Sequence, residues 1–194
     1  MATPNLKPFR DYNEHDVINL FTVTGQTLLP KGTFVTSAST TGVNLRDDSS
    51  LNNLSIYNNS VSALFGPPWS LAAAPSGSTK NQVVGATLKD FRSYDENGEN
   101  LLFHPRKAAE MDVIISGQAM PVVTRGLFLY SGIATGNGIP AYGTGFAVAD
   151  TNDGTIKTVP YLATGATNGV ASNVIGKFLG PINNDGYALI KIEL

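Results

Sequence analysis

Three dipeptides that favour tight turns constrain the fold of this chain more than any other feature of its sequence. They are Asn97-Gly98, Asp153-Gly154 and Asp185-Gly186, and each is flanked on both sides by strand-like sequence. A type I′ hairpin turn requires positive φ at both central residues, and Asn-Gly and Asp-Gly adopt that conformation readily. The sequence therefore predicts three β-hairpins after residue 82.

The predicted hairpins join the segments on either side of these turns. The paired segments are 83–94 with 100–104, 145–150 with 155–161, and 174–179 with 187–194. In the last segment Ala188, Ile190 and Ile192 alternate with residues of the opposite face. Since successive side chains of a strand point to opposite faces, this alternation indicates one core-facing side.

The remaining elements are short. Strand-like stretches cover 17–24, 33–37, 112–116, 120–124 and 127–131, and one helical stretch, 105–111, begins with proline and continues with strong helix formers. Roughly ten short strands with one short helix are typical of an all-β sandwich or barrel. We find no internal repeat of fixed period.

Composition excludes several other classes of protein. Gly, Pro, Thr, Asn and Ser account for 80 of the 194 residues, which excludes a helical bundle. Hydrophobic residues make up 42%, enough for a core, and charged residues only 14%. The chain contains no cysteine, so disulfides, thiolate metal sites and a cysteine nucleophile are excluded.

The first sixteen residues are predicted to form an extended arm. Pro4 and Pro8 favour extended backbone, and Phe9 and Tyr12 are the only large side chains available to anchor the segment. The alternative is a terminus that lies against its own domain.

Residues 17–194 are predicted to form a single β domain, with 38–82 as a long loop or insertion. This stretch is dominated by small and polar residues. It contains Trp69, the only tryptophan, which either anchors an interface or fills the core of its own domain.

No set of residues forms a recognisable catalytic or metal site. His15 lies between Glu14 and Asp16, but adjacent side chains of an extended segment point to opposite faces and do not converge on one ion. His104 precedes a proline, where capping a helix is the expected role. The segment 150–154 lacks the spacing of a calcium loop and is predicted to be a turn. We expect no catalytic residue, cofactor or metal, and hence no enzyme.

Charge and hydropathy limit the expected partners. The net charge is −2, so no basic field is expected to hold nucleic acid or an anionic membrane surface. No apolar run approaches the roughly 20 residues that span a bilayer. The N-terminus lacks the apolar stretch of a signal peptide. We therefore expect a protein made in the cytoplasm, with no membrane or nucleic-acid partner.

Several sequence segments resemble those of a known protein family. Three lie between residues 83 and 133: Gly-Ala-Thr-Leu-Lys-Asp-Phe, Leu-Leu-Phe-His-Pro-Arg-Lys-Ala-Ala-Glu-Met and Val-Ile-Ile-Ser-Gly-Gln-Ala-Met-Pro-Val-Val-Thr-Arg-Gly. A fourth, Asn-Val-Ile-Gly-Lys-Phe-Leu-Gly, covers 173–180. Together they resemble the head decoration (cement) proteins of tailed bacteriophages, over residues 80–194 and more loosely over 17–37.

The resemblance implies a small β-rich protein, often trimeric, that sits on a capsid and staples neighbouring capsid subunits. We therefore expect a virion protein on the capsid surface that binds the major capsid protein as a homotrimer. The expected contact residues for the capsid or for neighbouring subunits are Pro4, Pro8, Phe9, Tyr12 and Trp69.

Three alternatives remain open. A small capsid or tail-tube subunit has this type of composition and should polymerise unaided. A carbohydrate-binding β domain of a virion would use exposed aromatic side chains, for which Trp69, Tyr142 and Tyr161 are candidates. An enzyme ranks last.

Overall fold

The computed structural model of this chain describes residues 3–23, 28–39, 69–75, 77–115, 118–134, 142–148, 153–159 and 174–194. Within these residues the protein is almost entirely β. Its fourteen described strands are β1 Leu6–Pro8, β2 Val17–Ile18, β3 Leu28–Leu29, β4 Phe34–Ser39, β5 Trp69–Ala73, β6 Val83–Thr87, β7 Asp90–Arg92, β8 Val113–Ile114, β9 Val122–Val123, β10 Arg125–Tyr130, β11 Gly145–Val148, β12 Ile156–Val159, β13 Gly176–Phe178 and β14 Ala188–Glu193.

The strands form three sheets. Six strands pair in the order β1-β10-β14-β13-β11-β12, five in the order β2-β9-β6-β4-β5, and three in the order β3-β7-β8. All pairings are antiparallel except that of β7 with β8. Strands β1 and β12 lie at opposite edges of the six-stranded sheet and are not paired with each other in the described part of the chain. The fold is therefore an all-β sandwich and not a closed barrel.

The main core lies between the six-stranded and five-stranded sheets. Phe128, Tyr130 and Ile190 of the first sheet belong to one buried cluster with Phe34 and Val123 of the second. Aromatic side chains bury large apolar areas and prefer tilted or edge-on contacts. This cluster therefore joins the two sheets into one folding unit.

A second cluster covers the opposite face of the five-stranded sheet. Val35 and Leu71 of that sheet pack with Leu29 and Phe91 of the three-stranded sheet. Since Phe34 faces one cluster and Val35 the other, β4 is buried on both sides. The five-stranded sheet is thus the middle of three layers, and its apolar residues run without strict alternation.

Two of the three predicted hairpins are confirmed. Strand β11 pairs with β12 on the two sides of Asp153-Gly154, and β13 pairs with β14 on the two sides of Asp185-Gly186. Both glycines have positive φ, 68° and 82°. Asp185 does not, so the turn before β14 is not of type I′, and what is confirmed is the strand pairing rather than the predicted turn type. The predicted alternation is present in β14, where Ala188, Ile190 and Ile192 are fully buried and therefore form the core face.

The predicted hairpin at Asn97-Gly98 is wrong in its second strand. Gly98 does form a turn with φ 81°, and Tyr94 bridges to Asn100. The Asn100 side chain then accepts a hydrogen bond from the Leu102 N–H, 2.9 Å, and begins a 3-10 turn at Leu101–Phe103. Local side-chain capping therefore ends the strand, because it supplies the backbone with a different partner.

The predicted helix is confirmed. Helix α1 spans Pro105–Glu110, with proline in its first turn. Its Ala108 packs with Leu101, Val113 and Ile115 in a small separate cluster. No helix in the described residues is long and apolar enough to cross a membrane.

The predicted loop 38–82 contains paired structure at both ends. Strand β4 extends to Ser39 and pairs with β5, in a register that runs from Val35 opposite Ala73 to Ser39 opposite Trp69. Strand β5 therefore belongs to the middle sheet, and the turn before β6 leads into the same sheet. Residues 40–68 lie outside the described residues.

Of the two predicted opening strands, 17–24 is shorter than expected and 33–37 is found at Phe34–Ser39. Strand β2 contains only Val17–Ile18 and pairs with β9, whereas β4 pairs with β5 and β6. The partners of β2 and β4 are thus distant in sequence. Such pairings cannot be predicted from the residues of a local turn.

The two Asp-Gly turns provide a matched test of sheet packing. An alanine Cβ at Gly154 would overlap Thr33 Cγ2 and lie 2.5 Å from the Phe34 carbonyl oxygen, whereas at Gly186 nothing lies within 4 Å. Gly186→Ala should cost about 1–2 kcal/mol from left-handed strain alone. Gly154→Ala should cost about 1–3 kcal/mol more, because it also overpacks the contact between sheets. Urea unfolding measures both, and equal losses would contradict this packing.

Candidate interaction surface

The N-terminal segment forms the edge of the six-stranded sheet. Strand β1 pairs with β10, and this pairing continues beyond the strand ends. The Ser131 N–H donates to the Asn5 carbonyl, 3.1 Å, and the Phe9 N–H donates to the Leu127 carbonyl, also 3.1 Å. Leu6 is fully buried in the main core.

A glycine allows the N-terminal strand to approach closely. Gly32 has φ 86°, and a Cβ at this position would lie 3.0 Å from both Asn5 C and Leu6 N. Only glycine combines this backbone conformation with this contact at little cost. The segment is therefore held from two sides, by β10 and by the turn that contains Gly32.

These contacts bear on the prediction that residues 1–16 form an extended arm. Residues 6–8 are extended, but they pair within their own domain, which was the alternative. The physical reason is Leu6, whose burial in the core holds the strand in place. A deletion of residues 1–16 would remove a sheet strand and a core side chain.

The predicted contact residues of this segment are spread along β10, with Pro4 at one end of β1 and Pro8, Phe9 and Tyr12 at the other. Pro4 lines a groove along β1, and Pro8 ends the strand with its side chain exposed. Phe9 is 52% exposed. Tyr12 is 39% exposed, and its ring lies 5.8 Å from that of Phe128.

Trp69 is placed elsewhere. It begins β5, at the edge of the five-stranded sheet, opposite Ser39. Its side chain lies outside the described part of the chain, so the choice between interface anchor and core residue stays a prediction. Among the other aromatic candidates Tyr142 is 80% exposed, and Tyr161 lies outside the described residues.

A groove of about 590 Å³ runs beside β1. Its walls come from the N-terminal segment, the residues around β3, and residues 88–92 with 111–112. Charged side chains line much of it, namely Lys7, Lys31, Lys89, Asp90, Arg92 and Asp112. Four cations against two carboxylates give the groove a net positive charge.

Internal contacts fix most of these charges. Lys89 Nζ lies 2.5 Å from Asp112 Oδ1, and this hydrogen bond lowers the pKa of Asp112. The Lys31 backbone N–H donates to Asp90 Oδ1, 2.6 Å. Lys7 Nζ stacks 4.4 Å from the centre of the Tyr187 ring. The walls are therefore ordered, and they suit a polar extended segment of a partner.

A second exposed surface lies next to α1, on residues 94–103. Tyr94, Leu102 and Phe103 are 50%, 51% and 75% exposed. Sequence reasoning missed these residues and the groove. The adjacent pair Leu102-Phe103, directly before the proline that begins α1, was the available signal for this surface.

A buried carboxylate joins the turn at residues 95–99 to α1. The Asp95 side chain is fully buried and forms an ion pair with Lys107 of α1. Its Oδ1 also accepts the N–H groups of Asn97, 2.9 Å, and Glu99, 2.7 Å. The hydrogen bond from Lys107 lowers the pKa of Asp95, and the two backbone hydrogen bonds lower it further against the effect of burial.

Neither histidine has a described side-chain contact that would support a catalytic or metal-binding role. His15 lies in a 3-10 turn, Glu14–Asp16, and not in the extended segment expected. His104 occupies the N-cap position of α1, but its side chain makes no capping hydrogen bond. In the described residues no group of three or more His, Asp or Glu side chains could hold a metal ion.

Neither a protein-family model nor a curated protein matches this chain.

The anchoring of β1 is tested by two neighbouring residues. Leu6→Ala should destabilise the protein by about 2–5 kcal/mol, because it empties a fully buried site. Lys7→Ala on the other face should cost about 0.5–1 kcal/mol, the size of an exposed cation–π contact. Chemical denaturation compares them, and a neutral Leu6→Ala variant would show that β1 is not part of the core.

The Asp95–Lys107 pair gives a pH dependence of known sign. A carboxyl whose pKa falls on folding stabilises the fold above its unfolded pKa, and this contribution is lost as the pH falls through its folded pKa. Lys107→Gln weakens the depression of the Asp95 pKa. Wild type should therefore lose more stability than Lys107→Gln between about pH 5 and about pH 2.

Denaturant midpoints across this pH range measure the effect. Arg106→Gln on the same helix is the control, since it removes only an exposed pair with Glu110. Its stability should fall with pH in parallel with wild type. A Lys107→Gln curve that also runs parallel to wild type would contradict the role of the pair.

Proposed function

We propose that this protein decorates and stabilises a bacteriophage capsid by binding the major capsid protein as a symmetric oligomer, and that it is not an enzyme. The observation that carries the proposal is the exposure of Phe9 and Tyr12 beside an anchored edge strand. Exposed aromatic side chains on an ordered backbone are typical anchors of protein interfaces, since little conformational freedom is lost on binding.

The layered architecture supports this function. The three sheets bury large side chains on both faces of the middle sheet, which gives a rigid body. A capsid-bound protein acts through many copies, so modest contacts per copy add to a large mechanical effect. The family resemblance of residues 80–194 supports the same function and favours a homotrimer on the virion surface.

The proposed contact mode differs from a flexible arm. Because β1 is held in its own sheet, the capsid would contact the preformed surface of Phe9 and Tyr12, with Pro8 beside it and Pro4 at the other end of β1. The adjacent groove is available for an extended segment of the capsid protein. The role of Trp69 in a subunit or capsid contact stays a prediction.

Co-sedimentation with empty capsid shells tests the proposal. Wild type should bind with saturation at a fixed ratio to the capsid subunits. Phe9→Ser should weaken binding at least about tenfold, the effect of losing an interface anchor. Phe103→Ser removes an even more exposed ring on another surface and should bind like wild type. Thermal unfolding of both variants verifies that they fold.

Different results of this experiment test the proposed function and the proposed contact residues. Failure of wild type to bind shells would contradict the proposed function. Normal binding by Phe9→Ser would contradict the contact surface alone. Spontaneous polymerisation of the purified protein would instead favour a capsid or tail-tube subunit.

A further inference from the structure

The outer face of the six-stranded sheet carries a concentration of positive charge. Phe178, Ile190 and Ile192 face the core, so Lys177 and Lys191, which alternate with them, face outward. Three further charged residues complete the cluster: Arg125 and Glu193 on the paired strands β10 and β14, and Lys80 from the turn before β6. We name Lys80, Arg125, Lys177 and Lys191 the basic face.

The register of the sheet places two of these cations in conflict. Lys177 of β13 lies directly opposite Lys191 of β14. Like charges at directly opposite positions destabilise a pair of strands. The isolated protein would therefore be more stable with a neutral residue at position 177, so this lysine has no structural explanation in the fold alone.

A single carboxylate lies among the cations of the cluster. Glu193 Oε2 is 2.8 Å from Lys191 Nζ, and Glu193 Oε1 is 4.0 Å from Arg125. The Lys191 hydrogen bond lowers the pKa of Glu193, with further lowering by the charges of Arg125 and Lys80. Among the described side chains of the cluster, four cations therefore surround one carboxylate, in a chain whose net charge is −2.

The basic face is exposed to solvent and contains a depression. The side chains of Arg125, Lys191 and Glu193 are 62%, 41% and 50% exposed, and Lys177 is exposed. A depression of about 130 Å³ lies between Lys80, Lys177, Lys191 and Glu193. A partner side chain can therefore reach several of the cations at once.

We propose that the basic face binds an acidic segment of a partner protein, whose carboxylates lie across β13 and β14 and separate Lys177 from Lys191. Glu193 within the cluster disfavours a continuous polyphosphate, which would bring phosphates against it. Spaced carboxylates of a peptide avoid that contact and pair with the cations around it. The net charge of −2 opposes any anion at long range, and more strongly the more charges the anion carries, so a short acidic segment is favoured over a long polyanion such as nucleic acid. The inference holds for any acidic partner, whether or not it is a capsid protein.

Binding of a fluorescent peptide in which glutamates alternate with serines tests this site in the intact protein. Wild type should bind at low ionic strength and lose affinity towards about 0.15 M salt, where the Debye length is about 8 Å. Lys177→Gln should weaken binding roughly two- to fivefold, the effect of one exposed ion pair. Arg106→Gln removes the same charge from an exposed site on α1 and should leave binding unchanged.

The same variant has a second readout that a purely structural lysine would not give. Lys177→Gln should raise the melting temperature by about 1–3 °C, since it relieves the repulsion of Lys191. Loss of both stability and binding would assign Lys177 a structural role and overturn the proposal. It would also be overturned by peptide binding that Lys177→Gln does not change, or by duplex DNA that binds at least as tightly as the peptide.

Discussion

The packing of Phe34 between the two large sheets is the interaction on which the rest of the structure depends. Its ring lies 5.9 Å from that of Tyr130 and 6.0 Å from that of Phe146, both on the six-stranded sheet. Its backbone N–H donates to the Gly154 carbonyl, 2.9 Å, so the main chains of the layers are also joined. Because Leu6 belongs to the same buried cluster, the N-terminal strand is part of this unit.

This constraint determines how the protein can meet a partner. A terminus whose side chain fills the core cannot extend over a neighbour without unfolding an edge of its own sheet. Binding is therefore assigned to surfaces that exist before contact: the aromatic residues beside β1, the groove along it and the basic face across β13 and β14. Preformed surfaces lose little conformational entropy on association, which suits a protein that acts in many copies.

Sequence reasoning predicted the features that local chemistry decides. The hairpins at Asp153-Gly154 and Asp185-Gly186 and the proline at the start of α1 each follow from a few adjacent residues, and the all-β class follows from their number. The pairing of β1 with β10 could not be predicted, because it joins residues more than a hundred positions apart. The opposition of Lys177 and Lys191 also depends on strand register, so the basic face was not visible in the sequence. Phe9 and Tyr12 were identified as exposed anchors, but the burial of Leu6 beside them was not.

Amide hydrogen exchange in the isolated protein tests the central claim that the N-terminal strand is built into the domain. The Ser131 N–H is bonded to Asn5, and the Phe9 N–H is bonded to Leu127, so both depend on this segment. We expect both to exchange about as slowly as the Phe34 N–H, through global unfolding. Exchange of Ser131 and Phe9 at unprotected rates, with Phe34 still protected, would show that the segment is a free arm and would contradict the account.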